Sequence, residues 1–522
     1  MTDPAQPAEP TDSTAQVPSP GIAWVPPHLM AGQYQPPPRR RRAPIVISVA
    51  AVLVLLLAGG AYAGLHAWYG WGATEPESAM PAGVIAFARV DLDPGYGQQL
   101  QLFNLLSRFP KPDTGDQKSG VEHGLLSMSS LGLDFATDVQ PWFADRVGFA
   151  AWQDGGQQPV TLVALASKDD AQAAKLLANA QTRRGSARLG YSVHNGYALL
   201  AIASHDADVD AEAAGKAAIA NPLSDSPRFT QALAPLSGGH PALAYVDLAA
   251  AYAANAQSVF GALGGQTRDA TPASGPYTGT LALSADAADN GIEVRLVATG
   301  LTPPATVDPD ARALLDTMPR DSIIAGAFPG ISADNPLTGG ISGFTDDYFG
   351  GGSGTDGFGD DPGYSPTERR TLTDGLMAFL TAKTISFAFT KLGSGQPDGV
   401  IAAAARDAAA AAKVAAAVRT HFDGNAGNAA GVDVEQQGDT VRIRLGNPSG
   451  GPLADSSLYR EAMAGGPSRP GDAFFLDIQR LIGSDANISP ADRRQWSPIK
   501  AVGFSATRHG STINGLLRVV IK

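Results

Sequence analysis

The chain contains no cysteine. That single absence excludes disulfide frameworks, thiolate metal sites and cysteine nucleophiles. An exported domain built from this sequence must therefore hold together through its own core. Charged residues are also sparse, at 17% of 522, and no Lys, Arg, Asp or Glu lies between Arg42 and Glu75. With 44% hydrophobic residues, the length suits two or three globular domains. Sixty glycines and 39 prolines assign part of that length to loop or tail.

Charge is unevenly placed. Residues 1–42 carry Asp3, Glu9, Asp12 and four arginines, a sum of +1, which leaves −13 of the total −12 on the remainder. An acidic main portion has no basic surface with which to neutralise phosphates, so nucleic acid is excluded as an expected partner.

The uncharged gap holds a positive signal. Ile45 to Leu65 is a run of 21 residues made of Ile, Val, Leu, Ala and Gly with only Ser48 and Tyr62 polar. As a helix it would measure about 31 Å, the thickness of a bilayer's hydrocarbon core. Arg39, Arg40, Arg41 and Arg42 abut one end, and Trp68, Tyr69 and Trp71 crowd the other, where an interfacial aromatic belt would lie. The expectation is an uncleaved signal-anchor over 43–68, since about 40 residues precede the run and it exceeds a signal peptide's apolar stretch. The positive-inside rule then puts residues 1–42, a Pro-rich disordered tail, in the cytoplasm and the bulk of the chain outside the cell membrane.

Laying residues 80–300 over 318–522 reveals an internal repeat. Met80-Pro81 and the strand Val84–Val90 recur as Met318-Pro319 and Ile323–Phe328, at a shift of 238. At a shift of 230, Pro222-Leu223-Ser224-Asp225-Ser226 matches Pro452-Leu453-Ala454-Asp455-Ser456, and Phe229 matches Tyr459. Asn290-Gly291 and Asn514-Gly515 then read as equivalent hairpin turns. The pattern predicts two tandem diverged modules, 75–300 and 318–522. In the first, Val147–Trp152 with Val160–Ala166 and Tyr191–Val193 with Tyr197–Ala203 read as hairpins, and Asp169 or Asp170 caps a helix. The fold class expected is α+β, a largely antiparallel sheet with helices packed on it. The modules differ most in an apolar helix at about Gln98–Phe109 against a loop rich in Gly and Asp over 344–365, with a helix resuming near Pro366.

A search for chemistry nominates no catalytic, cofactor-binding or metal-binding residue. His123, His194, His205, His240, His421 and His509 show no zinc-helix spacing. Asp206, Asp208 and Asp210 begin like a calcium loop, but Ala211 and Ala217 stand where Gly and Glu are needed. Gly352, Gly354 and Gly357 satisfy a dinucleotide spacing without the flanking strand and helix. Ser497 and Lys500 lack the companion elements of penicillin-binding enzymes. Asp145-Arg146 reads as a structural ion pair rather than a catalytic one.

Phe87-Ala88-Arg89-Val90-Asp91-Leu92-Asp93-Pro94, Gly97-Gln98, Phe109-Pro110 and Trp142-Phe143-Ala144-Asp145-Arg146-Val147-Gly148 resemble the domain of unknown function 3352 family. That resemblance, over about 75–522, implies an actinobacterial-type protein with a Pro-rich N-terminus and one membrane helix, and no assigned activity. Sequence therefore points to a non-catalytic envelope protein with a binding or structural exterior and an envelope protein or lipid as partner. Two alternatives differ in class. One is a carrier or sensor of an apolar ligand, enclosed by antiparallel sheet with helices on one face. The other is an envelope hydrolase.

Overall fold

The computed structural model describes residues 75–91, 96–110, 133–153, 159–202, 206–236, 238–255, 278–300, 310–330, 366–392, 397–424, 431–448, 450–484 and 488–522. These fall within one compact unit spanning Pro44–Lys522. The predicted anchor, the tail and the 344–365 loop lie outside the described residues.

Eight strands come from the first half of the folded part: β1 (Val84–Asp91), β2 (Phe143–Trp152), β3 (Val160–Ser167), β4 (Gly190–His194), β5 (Tyr197–Ile202), β6 (Ala242–Asp247), β7 (Thr280–Ala288) and β8 (Gly291–Ala298). Eight more follow: β9 (Ile324–Pro329), β10 (Thr384–Lys391), β11 (Asp398–Ala404), β12 (Val432–Gln437), β13 (Thr440–Leu445), β14 (Asp472–Asp477), β15 (Ile499–His509) and β16 (Thr512–Ile521). All join one antiparallel sheet, ordered β12-β13-β11-β10-β9-β14-β15-β16-β8-β7-β6-β1-β2-β3-β5-β4. Read inward from either end, the order is the same strand for strand, and β8 pairs β16 at the seam. Residues 75–300 and 318–522, expected as two tandem modules, thus contribute strands to one sheet.

The correspondence extends to irregular segments. Pro81 bridges Pro222, and Pro319 bridges Pro452. Leu223 N–H donates to the Met80 carbonyl at 2.7 Å, and Leu453 N–H to that of Met318 at 2.6 Å. A single turn of 3-10 helix follows each proline, over Leu223–Asp225 and Leu453–Asp455.

Helices cover both faces of the sheet, not one. In the first half, α1 (Tyr96–Leu106) and α2 (Asp170–Arg184) lie on one face, while α3 (Ala207–Ala220) and α4 (Pro227–Leu233) lie on the other, and α5 (Leu248–Asn255) follows β6. Alternate residues of a single strand serve the two layers. Leu162 and Ala164 pack with Ala211, Ala214 and Phe229, whereas Val163 and Leu165 pack with Ala173 and Leu177. The second half contributes α6 (Ala311–Asp316), α7 (Pro366–Leu380), α8 (Ala408–Gly424), α9 (Ser457–Ala462), α10 (Ile478–Ser484) and α11 (Pro490–Trp496). α7 packs tightly on α8, and Gly375 permits this: a Cβ there would come within 2.1 Å of the Ala417 methyl.

Local chemistry explains the boundaries. Asp169 caps α2 by accepting from Gln172 N–H at 2.9 Å. Asn195 (φ 54°) and Gly196 (φ 75°) form the tight β4–β5 turn, which needs two positive φ angles. Asn514-Gly515, however, is no turn. It runs inside β16, paired with Thr507 and Ala506, and the hairpin is made by Gly510 at φ 60°. Gly510-Ser511 turns the chain because a two-residue loop there keeps the apolar register of β15 and β16 intact.

Candidate functional site

Three groupings of side chains stand apart from the plain core. The first is ionic and gathers most of the sequence motifs quoted above. Arg89, only 9% exposed, donates through Nη1 to Glu75 Oε2 (2.5 Å) and Glu77 Oε1 (2.8 Å). Arg146 Nε donates to Asp91 Oδ2 at 3.2 Å, and its Nη1 lies 3.9 Å from Glu75. Burial pushes the Glu77 carboxyl above its ordinary range, opposed by Arg89. Burial works against the Arg146 charge, but Asp91 and Glu75 outweigh it and hold the guanidinium protonated. Gly148 lies under this cluster, where a Cβ would sit 2.8 Å from the Pro76 Cβ. Arg146 is thus part of a structural ion network that reaches Asp91 and Glu75.

The second is a polar cleft of about 480 Å³ at the β7–β8 turn, bordered by Gln98, Gln101, His240, Asp286, Glu293 and Arg295. Buried His240 binds Asp286 Oδ1 through Nδ1 (2.8 Å) and donates from Nε2 to the Leu236 carbonyl (2.6 Å). Glu293 accepts from Arg518 Nη1 at 2.9 Å. Gln98 and Gln101 pin α1 to β7 by bonds to Ala287 N–H and Asp289 Oδ1. These contacts leave Arg518 Nε buried without a hydrogen-bond partner. The cleft is open and polar rather than dry and apolar.

The third grouping is apolar. On one face of the second half, Phe387 (β10), Gly326 (β9), Phe474 (β14), Phe504 (β15) and Leu517 (β16) stand opposite each other in turn, forming one row across five strands. A neighbouring row runs Phe389, Ile324, Leu476, Val502 and Val519. Leu102 and Leu105 of α1 pack with Val502, Leu517 and Val519 and close the β16 end of both rows. Phe328 flanks the other end at 36% exposed, its ring centroid 6.2 Å from that of Phe387. Gly326 lies beneath the Phe387 ring, which a Cβ would meet at 2.6 Å. Phe387, Phe474, Phe504 and Leu517 are all only half-buried.

The rest of the sheet offers two contrasts. On the opposite face of the same strands, Ala388, Ala325, Phe475 and Ala501 are at most 1% exposed. At the corresponding place in the first half the row reads Phe149, Ala88, Ala244, Leu283 and Leu296, and there Ala244 is fully buried. Phe149, Ala88 and Leu296 are half-buried like their counterparts in the second half, so the two rows differ where buried Ala244 and Leu283 are replaced by half-buried Phe474 and Phe504. Sequence reasoning missed this face. Its signal was the aromatic content of two strands, Phe387 alternating with Phe389 and Phe474 beside Phe475, which becomes a surface only once strand order is known.

The remaining candidates resolve individually. Arg39, Arg40, Arg41, Arg42, Trp68, Tyr69 and Trp71 lie outside the described residues, as do His123, His205 and Gly352–Gly357. Asp206 caps α3 through Val209 N–H, and Asp208 accepts from Gln181 Nε2 at 2.8 Å. Among the described residues no group of three or more His, Asp or Glu side chains could hold a metal ion. Lys500 Nζ donates to the Ser497 carbonyl rather than to its hydroxyl, which itself donates to the Arg494 carbonyl.

Fold and site thus define an α+β protein built on one large antiparallel sheet, with a half-open aromatic face. A family profile described as "Protein of unknown function (DUF3352)" matches residues 46–333, and the chain belongs to that family. The matched stretch takes in β1 to β9; β10 to β16 lie beyond it. No curated protein and no solved structure matches the chain.

Proposed function

We propose that this is a membrane-anchored envelope protein whose exterior is a binding module for an apolar, acyl-chain-bearing ligand, held on the phenylalanine face of β10, β9, β14, β15 and β16. The two halves are diverged copies of one module, a reading supported by the matched strand order and the paired proline bridges. The observation that carries the binding assignment is the asymmetry between halves. Phe474 and Phe504 occupy the second half's row where the first has Ala244 and Leu283. Half-buried aromatic rings over a glycine-floored strand give wide apolar contact at low conformational cost. The anchor is supported by the 21-residue apolar run and its Arg and Trp flanks.

The test is recovery of bound lipid. The full chain is purified from membranes in mild detergent, beside a Phe474→Ser, Phe504→Ser variant, and copurifying lipids are quantified per chain. One lipid class is expected in near-stoichiometric amount with the parent chain and several-fold less with the variant. Equal amounts in both would refute the assignment.

A further inference from the structure

The register of β15 with β16 is unbroken from Ala501 to His509, so Val502, Phe504, Ala506 and Arg508 share one face of the sheet. Leu102 and Leu105 of α1 cover the Val502 end of this track. Arg508 stands at the other end, about 20 Å away at the rise of a strand. The phenylalanine face therefore ends in a cation. That cation is poorly satisfied. The Arg508 guanidinium hydrogen-bonds to no described residue, and its Nε is buried without a partner. Asp472 Oδ2 lies 3.9 Å from its Nη2, near enough to attract but too far for a hydrogen bond. Arg89 and Arg518 also have buried, unpartnered Nε atoms, yet their Nη1 atoms bind carboxylates, Glu77 at 2.8 Å and Glu293 at 2.9 Å.

The first half has no such pair. Ala242 stands opposite Ala285 as Asp472 stands opposite Ala506, which puts Ala287 at the place of Arg508. Ala242 and Ala287 are both buried, and Leu102 and Leu105 pack on Ala287. The charged pair thus belongs to the same half as Phe474 and Phe504. Unmade donors on a charged group are costly, and a guanidinium's planar fork fits a carboxylate through two parallel bonds. We propose that Arg508 is the head-group site of the acyl ligand, receiving an ionised carboxylate while the chain lies along β15 over Phe504 toward α1. One guanidinium and one track the length of a strand suit one charge and one chain, so the ligand class is a fatty acid. The inference rests on the acyl-binding reading given above. Asp472 competes with the ligand for Arg508 and repels it, so its neutralisation should tighten binding.

The test separates charge from chain. The full chain, stripped of lipid in neutral detergent, is titrated with palmitate and with its uncharged methyl ester, and bound ligand is counted by native mass spectrometry. Palmitate should bind at least tenfold tighter than the ester. Arg508→Gln should weaken palmitate at least tenfold and leave the ester within twofold, whereas Asp472→Asn should tighten palmitate. Unchanged palmitate binding in a folded Arg508→Gln variant overturns the site. Should that variant fail to fold, Asp472→Asn decides, and unchanged or weaker palmitate binding overturns it. Palmitoyl lysophosphatidate, with the same chain and a phosphate head, overturns the carboxylate assignment if it binds tighter than palmitate. Equal binding of palmitate and ester by the parent refutes the head-group site and leaves the acyl face standing. A parent that binds neither refutes the acyl-binding reading and the site with it.

Discussion

Arg295 and Leu516 stand opposite each other on β8 and β16, at the centre about which the two halves of the sheet correspond. To either side of that pair, Glu293 faces Arg518 and Val297 faces Asn514. Ala282 pairs Val297 in one hairpin as Gly503 pairs Arg518 in the other. The relation makes the seam a ladder like any other in the sheet, with eight residue pairs from Ile513 to Val520.

A seam of that kind couples the halves. Leu516→Pro removes an N–H from a strand paired on both sides, and an orphaned carbonyl alone costs roughly 1–3 kcal/mol. Denaturant unfolding of the parent should show one transition by circular dichroism. The proline variant should unfold earlier and in two resolved steps.

Phe474 and Phe475 are neighbours on opposite faces, with very different expected roles. Phe475 is 1% exposed and packs at 5.4 Å on the Tyr459 ring, so Phe475→Ala should cost about 3–5 kcal/mol. Phe474 is half-buried, and Phe474→Ala should cost about half as much or less. Chemical denaturation of the two variants measures the difference. Equal losses would mean that the phenylalanine face is ordinary core.

Gly148→Val places a branched side chain where even a Cβ lies 2.8 Å from Pro76 Cβ and 3.3 Å from the Phe87 ring. Overpacking of this type costs about 1–3 kcal/mol. The loss should appear as a lowered denaturation midpoint, and Ser386→Val, at the matching buried place in the second half, offers the comparison.

Acid should act on two buried groups with opposite sign. Burial lowers the His194 imidazole below its ordinary 6.5, opposed by the Ala79 carbonyl and Asp170. The unfolded chain therefore takes up the proton first, so this contribution to stability is intact above pH 6.5 and is lost as pH falls through the depressed folded value. Burial raises Glu77 above 4.5, so its contribution is full below pH 4.5 and lost as pH rises through the folded value. Stability measured from pH 7.5 down to 5 should decline less steeply in His194→Gln than in the parent.

Much of the local structure was legible because it rests on local chemistry. The Asp169 cap, the Asn195-Gly196 turn and the helix from Pro366 are each specified by a few adjacent residues. The antiparallel α+β class followed from hairpin spacing for the same reason. What sequence could not supply is long-range. Asn514-Gly515 has turn chemistry but lies in a strand, since register between distant strands overrides a dipeptide preference. α3 was overlooked because Ala211, Ala214 and Ala218 make a face too small-sided to read as an apolar stripe. The phenylalanine row needs the order of five strands drawn from 324 to 517, which no local pattern encodes.

The central claim is that the face bearing Phe328, Phe387, Phe474 and Phe504 binds acyl chains. The most direct measurement uses a photoreactive acyl lipid in membranes carrying the full chain, with the crosslinked peptides located by mass spectrometry. Acyl-chain binding on this face predicts crosslinks in β9, β10, β14 and β15 as well as in the 45–65 run. Crosslinks confined to residues 45–65 would contradict it.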